Sequence, residues 1–217
     1  TGKPVVLVNM TGSAMDLRFA DAHFSAVVQG WYPGARGGKA IAELLFGKYS
    51  PSGKLPVTFY NSADDLPAFT DYAMENRTYR YFKGDVLYPF GFGLTYGRTA
   101  VTAAAAEKAE GGWRVTASLE HSGAAGGDVV EVYIRDNESK FAVRNHSLCA
   151  FKPVSFSGDE VKTVELFVPD RALEIVDDSG ERRVDSRSFT LYVGVSQPDA
   201  RSCALTGTRP AEIALQL

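Results

Sequence analysis

The spacing of hydrophobic positions changes twice along the chain. Pro4–Met10 is a continuous apolar run, the pattern of a strand buried on both faces. Ala14–His23 is mixed and predicts a short helix, and Ser25–Trp31 is a second strand. Pro33-Gly34-Ala35-Arg36-Gly37-Gly38 is a turn. In Lys39–Phe46 the apolar Ile41, Leu44 and Leu45 share one helical face, and Gly47 is a good stop. Pro51-Ser52-Gly53 turns the chain into Leu55–Tyr60, a third strand. Strand, helix, strand, helix, strand predicts a parallel or mixed sheet covered by helices.

Residues 61–96 lose this periodicity. Pro67, Tyr72, Tyr79, Tyr81, Phe82, Tyr88, Pro89, Phe90, Phe92 and Tyr96 crowd together, too many aromatics for a floppy linker. An ordered segment lying against folded neighbours is expected. From residue 97 the period becomes two. Trp113, Val115, Ala117 and Leu119 alternate with Arg114, Thr116, Ser118 and Glu120. Val130, Val132 and Ile134 alternate with Glu131, Tyr133 and Arg135. Val164–Val168, Phe189–Val195 and Ile213–Leu217 are further runs. Alternation predicts one buried and one wet face. The turns Ser122–Asp128, Asp136–Ser139, Ser157–Asp159 and Asp177–Gly180 complete the signature of a β-sandwich.

Composition adds exclusions. Of the 217 residues, 45% are hydrophobic and 23% charged, which rules out a disordered chain. The net charge of −3 is spread without a basic face, so no nucleic-acid partner is expected. No apolar run reaches the length of a membrane span. Thr1-Gly2-Lys3-Pro4 leads straight into the first strand with no signal-peptide pattern, so the chain is expected to be a fragment. Cys149 and Cys203 are too few for a disulfide framework, and free thiols are expected.

Few residues carry chemistry of their own. Asp64-Asp65, Asp159-Glu160 and Asp177-Asp178 are neighbours on turns and read as solvated carboxylates. Gly34–Lys39 lacks the spacing and the hydroxyl of a phosphate loop, so its glycines are taken to ease entry into the helix. His23, His121 and His146 have no metal-ligand spacing. No metal and no cofactor are expected.

Several strings together carry a resemblance. They are Gly30-Trp31-Tyr32-Pro33-Gly34-Ala35-Arg36-Gly37-Gly38-Lys39-Ala40-Ile41-Ala42 followed by Leu45-Phe46-Gly47, then Pro51-Ser52-Gly53-Lys54-Leu55-Pro56-Val57-Thr58-Phe59. Leu66-Pro67 precedes Arg77-Thr78-Tyr79-Arg80-Tyr81-Phe82, and Leu87-Tyr88-Pro89-Phe90-Gly91-Phe92-Gly93-Leu94-Thr95-Tyr96 follows. In this order they resemble the C-terminal half of glycoside hydrolase family 3 β-glucosidases and β-xylosidases. Gly126–Val130, Val132–Asp136 and Phe189–Gly194 resemble the fibronectin type III-like domain that ends many of these enzymes. Ser147-Leu148-Cys149-Ala150-Phe151 departs from the Leu-Lys-Gly-Phe string common there, at a strand position.

The resemblance implies an α/β sandwich remnant over 1–62, an ordered aromatic-rich linker over 63–96 and an all-β, immunoglobulin-like (fibronectin type III-like) sandwich over 97–217. It implies hydrolysis of non-reducing terminal β-D-glucosyl or β-D-xylosyl residues by a retaining mechanism with two carboxylates. The family places the nucleophile, an aspartate, on an N-terminal barrel and the acid/base, a glutamate, in the α/β sandwich domain ahead of the strand that begins here at Pro4, so neither is expected here and this chain alone is expected to be inactive. The implied partners are the missing barrel and an oligosaccharide or aryl glycoside; a homo-oligomer stays open. Arg77, Tyr79 and Trp31 are the candidate substrate-binding residues, because aromatic faces and charged donors bind sugars. A bracing role for Arg77 and Tyr79, and a core or interface role for Trp31, is the favoured alternative. Trp31 and the Asn9–Ser13 loop follow strand ends, where α/β sheets place ligand-facing loops. A stand-alone carbohydrate-binding or structural β-sandwich module is the competing reading, and residues 1–60 speak against it.

Overall fold

The computed structural model describes residues 2–217. β1 (Val6–Asn9) pairs in parallel with β2 (Ala26–Gln29), Val6 opposite Ala26 and Asn9 opposite Gln29. The short helix α1 (Arg18–His23) connects them, and α2 (Gly37–Leu45) follows. The glycines before α2 act as the sequence suggests. Gly34 has φ +69°, and a Cβ on Gly37 would collide with the Pro33 ring. The helix stops before Gly47, which has φ +73°.

Two expectations for this region need correction. β1 is not covered on both faces: Val5 and Val6 are 41% and 42% exposed. Among the described residues β2 is its sole strand partner, so apolar side chains meant for cover lack it. Leu55–Tyr60 does not extend the parallel sheet either. Only β3 (Phe59–Tyr60) is a strand, and it pairs antiparallel with β4 (Val86–Tyr88) from the aromatic segment, Phe59 opposite Tyr88. Pro56 has no N–H for a ladder. Leu55 instead donates to the Phe92 carbonyl at 2.9 Å and accepts from the Gly91 N–H at 2.7 Å. Between β3 and β4 lie a 3-10 turn at Ala63–Asp65 and the single-turn helix α3 (Thr78–Tyr81). The small core of this half joins Leu17, Phe59 and Leu87, with Leu7, Val27, Trp31 and Tyr88 around them.

The rest is a sandwich. Its strands are β5 (Gly97–Ala109), β6 (Gly112–Gly123), β7 (Gly126–Asp136), β8 (Ser147–Phe156) and β9 (Glu160–Pro169). A small hairpin of β10 (Ile175–Val176) and β11 (Arg182–Arg183) follows, then β12 (Ser188–Gly194), α4 (Ala200–Thr206) and β13 (Ala211–Gln216). One sheet has the order β5-β6-β9 and the other β13-β12-β7-β8, with antiparallel pairing throughout. Most of the predicted inward set is the core: Val115, Ala117, Leu119, Val130, Val132, Ile134, Val164, Leu166, Val168, Leu191 and Val193 are buried, while Trp113 and Ile213 pack half-buried at its margin and Leu217 is exposed. This is the immunoglobulin-like sandwich that the alternation predicts.

The outer face of β7 is the exception. Glu131 and Tyr133, expected to be wet, are 3% and 0% exposed. The alternation is real, but the aromatic segment lies on that face and takes the place of water.

Candidate functional site

The three candidate residues have separate surroundings. Trp31 follows β2 with φ 51°, in the left-handed region, and its ring meets Phe59 edge-on at 6.3 Å. A bulky residue held there costs on the order of 1–3 kcal/mol, which the surrounding packing must offset. Beside it the polar ends of β1 and β2 are tied together. The Asn9 amide donates to Gln29 Oε1 at 2.7 Å and to Thr11 Oγ1 at 3.2 Å, and the Gln29 amide donates to the Thr11 carbonyl at 3.2 Å.

Arg77 is committed to its own loop. Its guanidinium donates to the carbonyls of Ala68 at 2.8 Å, Asp71 at 2.6 Å and Ala73 at 3.2 Å. No carboxylate on another element meets it among the described residues. Tyr79 lies against the sandwich. Its ring stacks on Phe90 at 4.2 Å and 7° and meets Tyr133 edge-on at 6.2 Å. Its hydroxyl accepts the Leu148 N–H of β8 at 3.0 Å.

Around Tyr79 the aromatic segment is clamped to the four-stranded sheet. Asn145 donates to the Tyr79 and Phe82 carbonyls at 2.8 and 3.0 Å, and its own N–H donates to the Arg80 carbonyl. Gln197 donates to the Phe90 carbonyl at 2.6 Å, and Arg201 to the Leu87 carbonyl at 3.1 Å. Beneath the clamp lies a buried ionic group. Lys54 Nζ is 2.8 Å from Asp128 Oδ1, with both side chains under a tenth exposed. Tyr133 donates to Glu131 Oε2 at 2.9 Å. Burial pushes the Glu131 carboxyl up to about 7 against the opposing pull of Lys54 and the Tyr133 hydroxyl. Gly91, at φ +76°, passes so close that a Cβ there would collide with the Tyr133 hydroxyl and sit 2.8 Å from Glu131 Oε2.

The paired carboxylates are held by turns and do not converge. Asp65 closes a capping box with Ser62, Asp159 accepts the Gly123 N–H, Glu160 accepts the Ser157 N–H, and Asp177 accepts from Ser179 and Glu181. Sequence reasoning missed the clamp. Lys54, Asp128 and Glu131 each read as an ordinary surface charge, because only the docked segment desolvates them. The one available signal was Phe90-Gly91-Phe92, a glycine between two rings, which marks a close backbone approach.

The glycosyl hydrolase family 3 C-terminal domain matches residues 1–96, and the fibronectin type III-like domain matches residues 128–197. A xylan 1,4-beta-xylosidase from Xylanibacter ruminicola is 36% identical over 211 residues, covering 95% of this chain and 24% of that protein. A periplasmic beta-glucosidase from Salmonella typhimurium is 31% identical over 212 residues, covering 90% of this chain and 28% of its own length. The crystal structure of DesR, a beta-glucosidase from Streptomyces venezuelae in complex with D-glucose, superposes with a TM-score of 0.80 at 27% identity, covering 98% of this chain and 29% of that one. The chain therefore spans about a quarter of the length of the curated relatives it matches. With both domains matched in order and the likeness running through almost all of its residues, the chain belongs to glycoside hydrolase family 3, as the C-terminal α/β region joined to a fibronectin type III-like domain.

Proposed function

We propose that this chain is the C-terminal portion of a retaining β-glycosidase that removes non-reducing terminal β-D-glucosyl or β-D-xylosyl residues from oligosaccharides or aryl glycosides. The observation that carries the reading is the likeness, along nearly the whole chain, to a xylan 1,4-beta-xylosidase and to beta-glucosidases. A retaining site needs two carboxyl groups about 5–5.5 Å apart across the sugar. The adjacent carboxylates here hold turns, so both catalytic groups belong to sequence outside these 217 residues: the nucleophile on a barrel domain that packs with this chain, and the acid/base on the part of the α/β domain that precedes β1. In this reading the strand ends at Asn9, Thr11 and Gln29 rim the sugar pocket, and Trp31 is the candidate placed nearest the substrate. Arg77 and Tyr79 act indirectly, by holding residues 63–96 as a rigid joint between the α/β part (1–62) and the sandwich (97–217). A free-standing β-sandwich module fits less well, because the outer face of β7 is covered by the preceding segment.

The test is a chimaera in which this chain replaces the corresponding region of the Xylanibacter enzyme. The purified 217-residue chain is expected to leave nitrophenyl β-xyloside and β-glucoside intact, and the chimaera to hydrolyse one of them with retention. Turnover by the chain alone, or a folded chimaera without turnover, overturns the proposal.

A further inference from the structure

A groove of about 640 Å³ lies between the aromatic segment and the outer face of the four-stranded sheet. Its size falls within the roughly 300–1,000 Å³ of small-molecule sites. Tyr192 of β12 and Glu212 of β13 lie directly opposite each other in the sheet ladder and form part of its lining. Arg144 and His146, from the connection between β7 and β8, form another part, and Tyr79 and Thr58 stand on the side of the segment.

Asn145, Gln197, Asp199 and the Tyr79 hydroxyl are already committed within the protein, but other polar groups here are unspent. Arg144 and Glu212 are both exposed, and neither makes a salt bridge or side-chain hydrogen bond among the described residues. Thr58 is 7% exposed, and its Oγ1 is buried without a partner. The tautomer of His146 follows from its neighbour. Gln197 donates its amide N–H to the Phe90 carbonyl, so its Oε1 accepts from His146 Nε2 at 2.5 Å. Burial holds His146 below its ordinary value, and the ring is neutral. Its Nδ1 is then a free acceptor, with no hydrogen-bond partner among the described residues.

A guanidinium donor, a carboxylate acceptor, a neutral imidazole acceptor and the Tyr192 ring suit one kind of ligand. A sugar hydroxyl both donates and accepts, and a pyranose ring has an apolar face for an aromatic ring. An anion meets Glu212 and Asp199, and a cation meets Arg135 and Arg144, all in the same groove. We infer that this groove is a binding site for a neutral β-linked oligosaccharide, built jointly by the aromatic segment and the sandwich. The choice of a β-linked glycan rests on the proposed function; the existence of the site does not.

The test titrates the 217-residue chain with xylohexaose, cellohexaose and an oligogalacturonate, following backbone amides by NMR. The neutral hexasaccharides are expected to shift the amides of Tyr192, Glu212 and His146, and the anionic oligomer to leave them in place. Glu212→Gln and Arg144→Gln alter exposed side chains that hold nothing in the fold, and each is expected to weaken binding about tenfold, the scale of one charge-assisted hydrogen bond. Tyr192→Ala is expected to weaken it further. No shift at 10-millimolar-order ligand (roughly ten times a weak sugar affinity), shifts confined to other surfaces, tighter binding of the anionic oligomer, or unchanged affinity in both charge variants overturns the inference. The same two variants placed in the chimaera are expected to leave kcat/KM on nitrophenyl β-xyloside unchanged, so failure of this site and failure of the proposed glycosidase are read separately.

Discussion

The residues before and after Gly97 solve the burial problem in opposite ways. The sandwich closes over its own core, and each of its long strands contributes to one continuous apolar interior. The first half gathers three buried side chains, Leu17, Phe59 and Leu87, into a small cluster and leaves much of its apolar surface open. Phe46 is 90% and Phe69 93% exposed, and Phe19, Tyr32 and Tyr72 are exposed as well. What order the first half has is drawn in part from the second. Its aromatic segment is ordered by lying on β7 and β8, and the buried cation Lys54 has its counter-charge on β7. Self-sufficient burial and borrowed burial produce equally regular backbones, and they differ in what breaks them.

The largest expected difference is in hydrogen exchange. Amides of Val6–Val8 are expected to exchange at least roughly ten-thousandfold faster than those of Val130–Ile134, since a two-stranded sheet opens locally while the sandwich core opens only globally. Equal protection at all concentrations would erase the distinction. Next comes Lys54→Met. It strands Asp128 and Glu131 without their cation, and breaking a buried pair from one side costs about 3–5 kcal/mol. The two tryptophans report the halves separately, Trp31 for the first and Trp113 for the sandwich. In urea the Trp31 indole signal is expected to be lost earlier by that amount, with Trp113 unmoved. A common shift of both signals would mean a single cooperative unit.

The smallest effect is the dependence on pH. The folded carboxyl of Glu131 titrates near about 7 against 4.5 for the free side chain, so the docked state keeps a proton that the undocked chain releases. Docking is therefore strongest below pH 4.5, weakens between 4.5 and about 7, and levels off above that. The span is on the order of 3 kcal/mol. Glu131→Gln is expected to flatten the profile of the Trp31 transition, and an unaltered slope in that variant would remove Glu131 from the account.

The sequence exposed the sandwich better than the region before it. Strands such as β6 and β12 have β-branched or large residues on the buried side, and period two is visible without context. β5 escaped because Ala103-Ala104-Ala105-Ala106 has no alternation to read and the strand slips register between Val101 and Ala103. α4 escaped because it is only seven residues long; its Asp199 cap and its stop at Gly207, φ +67°, are local signals that surface loops share. The short β3 failed in another way. Leu55–Tyr60 has the composition of a strand, but Pro56 and the pull of Gly91 and Phe92 on Leu55 decide its partner, and that choice is non-local. The clamp was illegible for the same reason: a charge between valines, as in Val130-Glu131-Val132, reads as a wet face until something dry is laid on it.

The distance in sequence between Lys54 and its partners bears on how the chain is made. At about 5–20 residues per second, Lys54 and the aromatic segment are synthesised several seconds before Asp128 and Tyr133. During that interval Tyr79, Phe82 and Phe90 have no surface to settle on. The nascent chain therefore carries an exposed aromatic stretch until β7 and β8 have emerged, and the later half of the message serves as the template that silences it. A translational stall soon after Asp136, with the aromatic stretch outside the ribosome, β7 still within it and β8 not yet made, leaves that stretch open to proteases and holdase chaperones, while a stall after β13 does not.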